Sequence, residues 1–78
     1  MLIELSQEAR KLLGWSQERL AAAADLTPAA VEEFEAGSPA TPDVILAIRT
    51  ALEAAGVEFI PENGGGAGVR LKKQDHNN

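Results

Sequence analysis

The chain has 78 residues, a net charge of −5 and no cysteine, so it is read as one small domain in which disulfide frameworks and thiolate metal sites are impossible. Alanine supplies 14 of the residues, which makes for a thin core that dimerisation would help to stabilise. No apolar run approaches the ~20 residues of a membrane span, no basic start followed by an apolar stretch marks a signal peptide, and the single His76 has no second histidine with which to bind metal; a cytoplasmic protein with no cofactor, metal or membrane contact is expected.

Leu2, Leu5, Ala9, Leu12 and Leu13 recur at helical spacing and predict a first helix over 3–13. Gly14, able to adopt a left-handed conformation, stops it. Ser16 is a suitable N-cap for a second helix over 17–24, with Trp15 and Leu20 placed as a hydrophobic staple and Leu20, Ala21 and Ala24 facing inward. The pattern then repeats. Thr27 caps, Pro28 occupies the first helical position, Leu26 and Val31 form the staple, Val31 and Phe34 the buried stripe, and Gly37 ends the third helix. In the fourth helix Thr41 caps, Pro42 starts, and Asp43 favours the positive end of the dipole. Val44, Ile45, Ala47, Ile48, Ala51, Leu52 and Ala55 give it an apolar face broader than a small domain needs, leaving some of it for a dimer contact, and Gly56 closes it.

Past Gly56 the chemistry changes. VEFI (57–60) has the β-branched and aromatic character of a strand, PENGGGAG is a turn or loop, and VRLK (69–72) alternates as a half-buried strand does. A hairpin is expected, with Val69 and Leu71 inward and Arg70 and Lys72 outward. A lone hairpin is marginal in water, so this one must rest on the helices or on another subunit. The expected division is a four-helix unit over 1–56, a β-hairpin over 57–72 and a disordered tail over 73–78. The fold class is mainly α.

The segment ARKLLGWSQERLAAAADLTPAAVEEFEAG resembles the helix-turn-helix of Cro/C1-type regulators, the Xre family, at Arg10, Gly14, Ser16, Gln17, Leu20, Ala21, Leu26, Thr27, Val31, Phe34, Glu35 and Gly37. The following PDVILAIRTALEAAGVEF is similar to the helix that closes that domain. The resemblance implies a regulator that binds double-stranded DNA as a homodimer, with its third helix, about 28–36, toward the major groove. It implies that Gln17 hydrogen-bonds a DNA phosphate and that Ser16 and Thr27 offer further backbone contacts at helix N-termini. It also implies that Arg10 and Glu35 form a structural pair between the first and third helices. Pro28, Ala29, Glu32 and Glu33 fall where the family reads bases.

At those reading positions the chain departs from the pattern. Alanine can touch a thymine methyl and glutamate can accept from cytosine N4, but the strong bidentate readers are missing, and Glu32 and Glu33 face a polyanion. Residues 1–55 carry four basic and nine acidic groups, and residues 56–78 three of each, so the whole −5 lies on the helical part. A DNA-binding domain ordinarily has a basic footprint. A second reading therefore stands beside the first: a helix-turn-helix fold serving as a protein-interaction or dimerisation module that does not engage DNA through the third helix. An enzyme has little support. Glu32 and Glu35 sit at helical spacing with no nucleophile, base or metal cluster beside them, and NGGGAG lacks the Lys-Ser/Thr ending of a phosphate loop.

Overall fold

Three of the four helices begin with the same device. In a computed structural model describing residues 3–60 and 68–71, the chain forms α1 (Ile3–Leu13), α2 (Gln17–Ala24), α3 (Pro28–Glu35), α4 (Pro42–Ala54), β1 (Val57–Ile60) and β2 (Gly68–Leu71). Ser16, Thr27 and Thr41 hold extended backbone at the N-caps of α2, α3 and α4. Their hydroxyl oxygens accept from the backbone N–H of Arg19, Ala30 and Val44 at 3.0, 3.2 and 3.3 Å. Each hydroxyl satisfies one of the donors that a helix start leaves without a partner.

The helix ends share a device too. After α1, Gly14 at φ +69° lets its N–H reach Lys11 O while Trp15 N–H reaches Arg10 O. After α3, Gly37 at φ +96° does the same with Phe34 O, and Ser38 N–H reaches Glu33 O. These are Schellman closures. The end of α2 uses the same hydrogen bonds, Asp25 N–H to Ala22 O and Leu26 N–H to Ala21 O, but with an aspartate in the left-handed position, at φ 60° and ψ 42°. Among the described residues Asp25 is the only non-glycine with positive φ.

The core is Ala9, Leu20, Ala21, Val31, Phe34, Ile48, Ala51, Leu52 and Val57, with Ile3, Leu13, Trp15, Leu26, Val44 and others packed around it. α2 lies against both α3 and α4. β1 and β2 pair antiparallel in the register Val57↔Leu71, Glu58↔Arg70, Phe59↔Val69, Ile60↔Gly68. β2 rests on α1 and β1 on α4, so the helices carry the hairpin.

Two details differ from the sequence expectation. The inward face of α1 is turned toward Ser6, which is fully buried, whereas Leu12 is 40% exposed. The reason is a polar contact on α3, described below, that draws the Ser6–Ala9–Leu13 stripe inward. β2 begins at Gly68 rather than Val69, and Leu71, expected inside, is 46% exposed while its partner Val57 is buried. Val57 follows the closing turn of α4 and is held against the helices; Leu71, its partner on β2, lies on the exposed side of a two-stranded sheet. Leu2, Lys72 and the expected tail over 73–78 lie outside the described residues.

Candidate nucleic-acid interface

Helical phase divides α3 into two chemistries. Val31, Phe34 and Glu35 are buried, while Pro28, Ala29, Glu32 and Glu33 are exposed with Thr27 at the cap. Residues i and i+3 or i+4 share a helix face, so Val31 and Phe34 go to the core together and carry Glu35 inward beside them. Neither Glu32 nor Glu33 meets a cation at ion-pair distance among the described residues.

Glu35 is the chemical centre of the buried side. Its side chain is only 2% exposed. Arg10 on α1 grips the carboxylate with two donors, Nη2 to Oε1 at 2.8 Å and Nε to Oε2 at 3.0 Å. Such a fork matches the carboxylate plane and gives strong, directional hydrogen bonds. Ser6 donates its hydroxyl to Oε2 at 2.8 Å, and Gln17 donates Nε2 to Oε1 at 3.0 Å. Arg10 spends Nη1 on the backbone carbonyl of Trp15, at 3.1 Å. One carboxylate thus joins α1, α2 and α3, and no buried side-chain polar atom among the described residues is left without a partner. Burial opposes ionisation of Glu35, but the bonds from Arg10, Gln17 and Ser6 outweigh it, so its carboxyl is held below the usual carboxylate range.

This clasp bears directly on the backbone-contact residues. Gln17 opens α2 half-buried, with its amide nitrogen on Glu35. The amide must point that way, because its oxygen would repel the carboxylate. The nitrogen keeps a second hydrogen, so one donor stays free for an outside acceptor. Ser16 and Thr27 use a hydroxyl lone pair in capping and retain the hydroxyl hydrogen for donation. The N-termini of α2 and α3 therefore present exposed donors around Ser16 and Thr27, with the acidic flank of Glu32 and Glu33 further along α3.

Ser6 is the participant that sequence reasoning missed. The available signal was a lone polar residue on the apolar stripe of α1, four positions before Arg10 and so on the same helix face. Among the described residues no group of three or more His, Cys, Asp or Glu is placed to hold a metal ion, and no helix is long and apolar enough to cross a membrane.

Residues 7–58 match the helix-turn-helix family, from the second turn of α1 through all of α2, α3 and α4 into β1. Comparison with curated proteins gives no match. With caps, core and helix order in register across two thirds of its length, the chain belongs to the Cro/C1-type helix-turn-helix (Xre) family of DNA-binding regulators.

Proposed function

We propose that the protein binds double-stranded DNA as a cytoplasmic homodimeric regulator, with α3 toward the major groove. Gln17, Ser16 and Thr27 position the backbone, and Pro28, Ala29, Glu32 and Glu33 meet the groove. The observation that carries this reading is the exposed outer face of α3 beside the capped start of α2 in a helix-turn-helix. A dimer doubles the cations available and sets two copies of α3 about one DNA turn apart, ~34 Å. The chain divides into a DNA-binding unit over 1–56 and a hairpin over 57–72, whose exposed Leu71 is apolar surface for a partner subunit. The acidic flank makes non-specific affinity weak, and the phosphate contacts made by the dimer's cations make it steeply salt-dependent.

The test is a titration of mixed-sequence duplex at about 50 mM salt, a concentration at which phosphate contacts are little screened. A carboxylate ~5–10 Å from a phosphate in water is repelled by roughly 0.4–0.8 kcal/mol before screening. Glu32→Gln/Glu33→Gln should therefore tighten binding about three- to tenfold per protomer, since 1.4 kcal/mol is tenfold. Unchanged affinity in the double variant would remove α3 from the contact.

One observation supports a second reading, a protein-interaction module. Leu46 on α4 is 62% exposed and lines a groove of about 430 Å³ in which alanines of α2 and α4 are joined by Asp25, Asp43 and Thr50. Failure of the wild-type protein to bind duplex at low salt would favour that reading.

A further inference from the structure

Five arginines and lysines lie among the described residues, and three of them are neutralised. Arg10 holds Glu35, Arg49 holds Glu53 at 3.0 Å, and Arg70 holds Glu58 at 2.9 Å. Lys11 and Arg19 have no carboxylate within 4.0 Å among the described residues. These two cations share a neighbour, Trp15.

Arg19, in the first turn of α2, lays its guanidinium over the Trp15 ring, 4.7 Å from the centroid. The stack fixes the position of the charge without using its N–H donors, none of which is engaged among the described residues. Lys11, in the last turn of α1, lines a notch of about 490 Å³ together with Gln7, Arg10, Gly14 and Trp15. Trp15 itself lies in the turn between the two helices. Its carbonyl is held by Arg10 and its ring packs on the core, so the corner is tied to the Glu35 clasp. Glu18 is the acidic residue in the same turn of α2 and forms no ion pair with either cation.

We infer that this α1–α2 corner, with Lys11 and Arg19 both beside Trp15, is an electrostatic anchor for the DNA phosphate backbone. The inference rests on the DNA-binding reading above and deepens it. In a chain of net charge −5 whose α3 presents carboxylates, backbone attraction must come from cations that no carboxylate has already claimed. The described residues hold two such groups, and both lie beside Trp15. A guanidinium positioned in advance loses less freedom on meeting a phosphate than an arginine free in solvent. The corner also adjoins Ser16 and Gln17, so the anchor and the backbone donors at the start of α2 form one surface.

The experiment is the salt dependence of binding to a mixed-sequence duplex, read by fluorescence anisotropy, with far-UV circular dichroism confirming that each variant is folded. Each phosphate neutralised contributes about 0.9 to the slope of log K against log salt. Lys11→Gln/Arg19→Gln should lower that slope by about 1.8 per protomer, which is about twelvefold less loss of affinity between about 50 and about 200 mM salt. Arg49→Gln/Arg70→Gln makes the same change in net charge at exposed, paired positions and should leave the slope as it was. Arg19→Lys, which keeps the charge, should hold it too. An unchanged slope in the first double variant, or an equal fall in the second, overturns the anchor while DNA binding itself stands. Absence of any wild-type binding at low salt overturns the DNA reading and this inference with it.

Discussion

Replacing Arg10 by methionine isolates the clasp. Methionine keeps an unbranched apolar stem of similar reach, so packing along α1 is largely conserved. The forked donors to Glu35 and the bond to the Trp15 carbonyl are lost. Glu35 keeps Ser6 and Gln17 as donors, but its carboxylate, only 2% exposed, then lies buried without a counter-charge. Removing one member of a buried ion pair typically costs about 3–5 kcal/mol. A domain of this length has about 4–12 kcal/mol of total stability, so much of the fold's margin would go. Urea denaturation followed by Trp15 fluorescence would show the fall in midpoint, and an unchanged m-value would confirm that the folded and unfolded states compared are the same. The response to pH separates a buried charge from a simple loss of packing. In the wild type the folded pKa of Glu35 is depressed, so the group stabilises above its unfolded value, and that stabilisation is lost as pH falls through the folded value. Without Arg10 the largest of the lowering contributions is lost while burial remains, so the folded pKa rises from its wild-type position. The destabilisation is then largest where Glu35 is ionised and shrinks on acidification. The gap between wild type and Arg10→Met should therefore narrow from pH about 7 to pH about 4. A gap of less than about 1 kcal/mol, the same at both pH values, would refute the clasp as a buried electrostatic unit.

Three further outcomes follow from the local geometry. Asp25 holds a left-handed conformation at the end of α2, where its charge also opposes the helix dipole; Asp25→Gly should raise stability by about 0.5–1 kcal/mol in thermal melts, and Asp25→Val should lower it by at least about 1 kcal/mol. Thr27→Ala removes the hydroxyl that accepts from Ala30 N–H and should cost about 1 kcal/mol, measured by urea midpoint. Leu71→Lys places a charge on the exposed margin of the hairpin; if that margin joins subunits, sedimentation equilibrium should show a weaker dimer with the monomer's melting unchanged, whereas an unaltered association constant would move the contact elsewhere.

What the sequence discloses and what it conceals follow from the range of each interaction. Caps, staples and left-handed closures are settled within about six residues, and Ser16, Thr27, Thr41, Gly14 and Gly37 announce the helix boundaries by residue type. The orientation of α1 is another matter. Its leucines suggest a face that includes Leu12, yet the observed face is set by Ser6 meeting Glu35 across 29 residues of chain. Periodicity scores a serine as polar and turns it outward; only the partner's position makes it buried. The same distance hides the engagement of Gln17 with Glu35, 18 residues away. Asp25 misleads in the other direction: it reads as an ordinary polar turn residue, while its backbone does what Gly14 and Gly37 do elsewhere.

The most consequential hidden feature is which charges are already spent. By sequence, Arg10, Lys11 and Arg19 are three cations in a run of ten residues, and Glu32, Glu33 and Glu35 three anions in a run of four. Folding makes the members of each set unequal. Phase on α3 sends Glu35 inward and leaves Glu32 and Glu33 outside, and the inward glutamate consumes Arg10. The net charge of −5 is unchanged, but the field becomes uneven: among the described residues the two cations outside ion pairs, Lys11 and Arg19, lie together at the α1–α2 corner, while Glu32 and Glu33 are two of the seven carboxylates outside ion pairs. A phosphate backbone meeting that surface is drawn to the corner and repelled along the helix. Binding by such a protein should therefore depend more on where the corner sits against the backbone than on any hydrogen bond α3 makes to a base.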